Sequence, residues 1–142
     1  MVSVEDLLAR KPRALHAIGP DEPVLEAIRL MAEHAIGAVL VLRDDTIAGI
    51  VSERDYARKV VLLGRSSSET PVWQIMTTPV VTVAPQHDLE HCMRQMTECR
   101  IRHLPVVAGG RPVGMLSIGD LVKAVIDDQR RTIEQLEAYI HS

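Results

Sequence analysis

Shifted against itself by 65 residues, the sequence aligns positions 18–61 with positions 83–126 without a gap. Ten of those 44 positions are identical: Pro20/Pro85, Arg29/Arg94, Met31/Met96, Glu33/Glu98, Ile36/Ile101, Val41/Val106, Gly49/Gly114, Ser52/Ser117, Asp55/Asp120 and Val60/Val125. Chance at this composition gives about three, and most other pairs keep their apolar or polar character, so the chain is an internal duplication. The fold question reduces to the fold of one unit and the packing of two.

In the second unit Leu89, Cys92, Met93 and Met96 recur at helical spacing behind a capping Asp88, and Val24, Ala27, Ile28 and Met31 match them in the first. A short apolar run follows at 38–42 or 104–107, then a polar or Gly-Gly turn at 43–46 or 108–111, then a second apolar run at 47–51 or 112–116. Two short strands joined by a turn make a hairpin. A helix then begins at Ser52 or Ser117.

Ahead of each unit stands a further short helix. Ser3 and Asp6 form a capping-box pattern before Leu7 and Leu8, and Thr70-Pro71 supplies a cap and a first-turn proline before Val72, Ile75 and Met76, at an offset of 68. The segment at 64–69, GRSSSE, is a linker. The expected fold is α/β (α+β): two pseudo-symmetric repeats at residues 1–64 and 65–126, each helix, strand, strand, helix, and a helical tail at 127–142.

Composition narrows the function. With 46% apolar residues the chain buries a core without metal or disulfide staples. There is no Phe, one Trp and two Tyr, so stacking platforms for single-stranded nucleic acid are missing, and a net charge of −3 argues against a duplex-binding surface. Any anion site is local. Cys92 and Cys99 lack CxxC spacing and read as buried, reduced thiols; His87 and His91 lack a third ligand and an HExxH pattern, and read with His34 as surface residues rather than metal ligands. No GxSxG, Walker loop or G-x-G-x-x-G is present, so an enzyme is not expected. The opening MVSVEDLL lacks the features of a leader and no apolar run has the length of a membrane span, which points to a cytoplasmic protein without membrane contact.

The repeat is sharpest at 49–55, GIVSERD, and 114–120, GMLSIGD. S-x-x-D is a helix capping box, and each copy is accounted for by that alone. A helix that starts straight after a strand also aims its free N–H groups beyond the strand end, where a phosphate can sit, and a carboxylate one turn in can accept ribose hydroxyls.

The order of elements, the 65-residue repeat and the G-h-h-S-x-x-D signature resemble a tandem pair of cystathionine-β-synthase-type (CBS) domains, and SERDYARKVV and IRHLPVV are similar to the short stand-alone bacterial members. The resemblance implies a regulatory module that binds an adenosine-type ligand (AMP, ADP, ATP, NAD or S-adenosylmethionine) without a catalytic cofactor. It places ribose on Asp55 and Asp120, and ribose or phosphate near Ser52 and Ser117. It places adenine against backbone at His16 to Ile18 with Ala38 and Val39, and at Thr82 and Val83 with His103 and Leu104. Arg102 and His103 align with Gly37 and Ala38, and Arg54 aligns with Gly119, so these cations are expected to make the two clefts inequivalent, with Arg102 and His103 beside Asp120.

From Leu121 onward the sequence reads as one long helix with Ile126, Ile133 and Ile140 at heptad spacing and Leu136 between, a stripe suited to the body of the module or to a second copy. A homodimer is expected, with a protein target as a further partner. A scaffolding dimer whose S-x-x-D boxes are only caps, and a nucleotide-using enzyme with an unrecognised site, remain as alternatives.

Overall fold

The computed structural model describes residues 2–11 and 14–141. Its elements run α1 (Val4–Ala9), β1 (Ala17–Ile18), α2 (Val24–His34), β2 (Ala38–Arg43), β3 (Thr46–Ser52), α3 (Glu53–Tyr56) continued by a π-helical turn (Ala57–Val61), a 3-10 turn (Val72–Gln74), α4 (Leu89–Cys99), β4 (His103–Ala108), β5 (Arg111–Ser117) and α5 (Ile118–His141).

Both hairpins form where the apolar runs place them. β2 and β3 pair antiparallel from Ala38 opposite Ser52 to Arg43 opposite Thr46, and β4 and β5 from His103 opposite Ser117 to Ala108 opposite Arg111. Positive φ at Asp44 (50°) and Asp45 (64°), and at Gly109 (59°) and Gly110 (76°), turns the chain with the twist that the paired strands need. Each hairpin slips register at the equivalent point, between Val41 and Leu42 or Val106 and Val107. β1 lies parallel to β2, with Ala17 opposite Leu40; in the second half a single parallel bridge from Val83 to Val106 takes its place.

The halves exchange their leading helices. Val4, Leu7 and Leu8 of α1 are buried with Val83, Leu89, Cys92, Leu104, Leu116 and Leu121 of the second half. Val72 and Ile75 are buried with Ile18, Val24, Val39 and Val51 of the first. Backbone bonds fix both exchanges: Val4 N–H donates to the His87 carbonyl at 2.8 Å, and Val72 N–H to the Glu22 carbonyl at 2.8 Å. The repeated glycines follow from this packing, since a Cβ at Gly49 would lie 2.6 Å from Met76 Sδ and one at Gly114 2.7 Å from Leu8 Cδ2. The incoming helix presses its side chain onto bare backbone at both places.

Caps at Ser3 and Asp88 form as the sequence implies, accepting from Asp6 N–H at 3.1 Å and His91 N–H at 2.8 Å. Two expectations need correction. Thr70 does not cap the following turn: the cap position falls one residue later, on Pro71, whose side chain has no acceptor to offer, while Thr70 is buried with its carbonyl bonded to Val24 N–H. Cys92 is buried and its thiol is pushed up to about 11, mainly by burial, whereas Cys99 is exposed, in the last residue of α4 before the chain turns at the left-handed Arg100.

Candidate functional site

At the first strand-to-helix junction Ser52 leaves β3 extended (φ −115°, ψ 165°) and α3 starts at once. The capping box is complete: Ser52 N–H and hydroxyl donate to Asp55 Oδ2 at 2.9 and 3.0 Å, and Asp55 N–H donates to Ser52 Oγ at 3.2 Å. The other carboxylate oxygen, Oδ1, accepts from the Thr77 hydroxyl at 3.0 Å and is paired with the Lys59 ammonium at 3.0 Å. Lys59 also donates to the Ile75 carbonyl at 2.9 Å. Asp55 is thereby almost closed off, 9% exposed.

The second junction repeats the box and changes its surroundings. Ser117 N–H donates to Asp120 Oδ2 at 2.8 Å and Asp120 N–H to Ser117 Oγ at 3.3 Å. Lys11, from the segment after α1, donates to Asp120 Oδ2 and to the Met115 carbonyl, both at 2.8 Å. Burial acts to raise the Asp120 carboxyl, but the bonds from Lys11 and Ser117 outweigh it and hold the group below the usual aspartate value. Thr77 does the matching work in the first half, with its N–H on the Ile50 carbonyl at 2.8 Å and its hydroxyl on Asp55. One junction is therefore braced by a hydroxyl and a lysine of its own helix, the other by a lysine from the exchanged N-terminal segment.

A cleft of about 470 Å³ opens at the first junction, where Ser52, Arg54, Asp55 and Arg58 face Arg100, Arg102 and His103 of the second repeat. That volume falls in the range of small-molecule sites, roughly 300–1,000 Å³. Its lining carries five permanent cations, Arg54, Arg58, Lys59, Arg100 and Arg102, against the two acids Glu53 and Asp55, in a chain whose net charge is −3. His103 is held below the ordinary histidine value, chiefly by burial, with Lys11 and Arg102 adding to it and Glu53 and Asp120 opposing. Arg54 reaches across the repeat boundary to the Arg100 carbonyl at 3.2 Å.

Arg102 and His103 thus line the cleft at Asp55, and His103 also pairs with Ser117 in the β4–β5 register, within electrostatic reach of Asp120, so it borders both junctions. The repeats face each other, so the hairpin start of one lies against the helix start of the other. Ser52, Arg54, Asp55, Arg102 and His103 are brought together; Ser117 and Asp120 form the separate second junction. The side chains of Ile18, Val39, Val83 and Leu104 are buried in the two cores and Ala38 is also buried, which leaves backbone as what these positions present, whereas Thr82 is exposed. His16 stacks on His34 with ring centroids 3.8 Å apart. Sequence reasoning missed Lys11 and Thr77, which carry no local signal, and Lys59, whose i, i+4 spacing from Asp55 is the pairing distance on a helix and could have found it. His87 and His91 stack at 4.0 Å, and among the described residues no cluster of three or more His, Cys, Asp or Glu can hold a metal.

The CBS domain profile matches residues 4–62 and again 72–127, one match for each repeat. The chain belongs to the CBS domain family. A mitochondrial CBS domain-containing protein of Arabidopsis thaliana, CBSX3, is 42% identical over 125 residues, which cover 84% of this chain and 61% of that protein. This chain therefore spans under two thirds of that relative's length. Among solved structures, a CBS-domain protein from Burkholderia ambifaria MC40-6 is 53% identical, covering 90% of this chain and 96% of its own, with a TM-score of 0.87. The CBS domain pair of protein MJ0100, solved with 5′-methylthioadenosine and S-adenosyl-L-methionine, shares the fold at 20% identity and a TM-score of 0.80, over 90% of this chain and 98% of its own. No described helix is long and apolar enough to cross a membrane.

Proposed function

We propose that this CBS pair is a sensor of adenine nucleotides that binds its ligand between the repeats and signals by changing their relative placement. The observation that carries this reading is the 470 Å³ cationic cleft with one lip from each repeat, Ser52 to Lys59 on one side and Arg100 to His103 on the other. A ligand that touches both lips binds one arrangement of the repeats better than another, and that difference in affinity is the whole of its regulatory effect. The adenosyl ligands of the MJ0100 pair support the ligand class.

The module pairs with a second copy through α5, whose Ile126, Ile133, Leu136 and Ile140 are exposed at 43–72% along one stripe. A monomer in light scattering of the ligand-free chain removes that part of the proposal. The scaffolding reading has one observation in its favour: serine and aspartate satisfy each other in both capping boxes, which accounts for both motifs as helix caps.

Thermal unfolding with AMP, ATP, NAD and S-adenosylmethionine separates the two. A ligand bound only to the folded state at about 100 times its dissociation constant stabilises by roughly 2.7 kcal/mol. At least one adenosine ligand is expected to raise the melting temperature on that scale, and guanine nucleotides less. No shift with any of them at millimolar concentration leaves the scaffold.

A further inference from the structure

α5 runs on beyond the body that supports it. Leu121 and Ala124 are buried in the second core, yet every residue at 129–141 is exposed, about three and a half turns of helix. A free helix of that length is marginal in water and is held by the packing of an apolar face. Such a face is present. Val122, Ile126, Gln129, Ile133, Leu136 and Ile140 follow one another at alternating steps of four and three, all exposed, and this seam passes from the body onto the projecting part without a break. As part of one continuous helix, the projecting half cannot fold back on its own body.

The two flanks of the seam differ in character. Lys123, Arg130 and Glu137 lie along one side; Val125, Thr132 and Tyr139 lie along the other and carry no charge. In a parallel pair of identical helices each flank faces the opposite flank of the partner, which here sets charges against uncharged groups. Reversing one helix puts like flank against like, and the flanks are what set orientation in such pairs. The reversed register that fills all six seam positions sets Val122 against the partner's Ile140, Ile126 against the partner's Leu136 and Gln129 against the partner's Ile133. It also brings Lys123 to the partner's Glu137, twice over by symmetry. Among the described residues neither has an ion-pair partner within its own chain. Arg130 approaches its own copy near the axis, and Glu134, one turn along the same side of each helix, offsets that repulsion.

We infer that α5 pairs antiparallel with α5 of a second copy in this register, each projecting half lying over Val122 and Ile126 of the other body. This rests on the reading of α5 as the dimer contact and adds its direction and its charge code.

A pulsed electron-spin distance on the intact chain tests it. The label goes on His141→Cys, outside the seam, in a Cys99→Ser background, where Cys92 takes no label because it is buried with its thiol pushed up to about 11. The reversed pair holds the two labelled positions about 30 Å apart along the axis, about twenty residues of helix. A parallel pair sets them side by side at about 8–10 Å, widened only by the labels. The long distance is expected. Sedimentation of Lys123→Glu, Glu137→Lys and the double exchange, each checked for folding by circular dichroism, reads the charge code. Each single change is expected to weaken the dimer about tenfold and the double exchange to restore it within about threefold. A short label distance, or single changes without effect, overturns the inference while the dimer reading stands. A parent that is monomeric at the labelling concentration overturns both.

Discussion

Lys11 is the residue whose environment says most about how the halves depend on each other. Its ammonium joins the segment after α1 to the start of α5 through Asp120 and to β5 through the Met115 carbonyl, with 31% of its side chain exposed. The Asp120 carboxyl is held below its ordinary value by Lys11 and Ser117 despite burial. A carboxylate with a depressed folded value stabilises the fold at pH above its unfolded value, and that contribution is lost as pH falls through the folded value. Lys11→Met is therefore expected to lower the unfolding free energy by about 1–2 kcal/mol at pH 7. The gap between parent and variant should narrow as pH falls through the folded value of Asp120, leaving only what the Lys11 bond to the Met115 carbonyl contributes. Urea unfolding in a series from pH 7 into acid measures the difference, and a gap that does not narrow anywhere along the series would show that Lys11 acts through packing and not through the ion pair.

At the scale of elements, each hairpin is pressed by the leading segment exchanged from the other repeat. Gly114 admits Leu8 of α1, and Gly49 admits Met76. A methyl group at position 114 must push Leu8, 9% exposed, out of a packed core, at a cost of about 1–3 kcal/mol. Gly114→Ala is expected to show that loss in chemical denaturation, and the double substitution Gly114→Ala with Leu8→Ala to lose less than the sum of the two single changes, because the two groups compete for one space.

The hairpins, α2, α4 and the long α5 were legible in the sequence because their signals are local: apolar spacing, Asp44-Asp45 and Gly109-Gly110 at the turns, Asp88 at a cap. The exchange of helices was not, since Val4, Leu7 and Val72 show only that a helix has an apolar face and not which hairpin it covers. The same holds for the site. Ser52, Asp55, Ser117 and Asp120 stood out by repetition, whereas Lys11 and Thr77 meet their aspartates only after the chain has folded. The placement of Arg102 and His103 in the Asp55 cleft followed from how two repeats face each other, which pairwise alignment of the halves cannot show.

For the whole molecule, duplication produced two junctions of the same backbone design and then let their side chains diverge. One lies in an arginine-lined cleft, its carboxylate held on both oxygens by Ser52, Thr77 and Lys59; the other is held on one oxygen by Ser117 N–H and by Lys11 from the exchanged segment. The central claim is that a nucleotide bridges the repeats at the first of these. The most direct test is the amide spectrum of the 15.7 kDa chain during an AMP titration. The account predicts saturable shifts on both lips together, at residues 52–59 of the first repeat and 100–103 of the second, with one midpoint. Shifts confined to one repeat, or none at millimolar AMP, would contradict it.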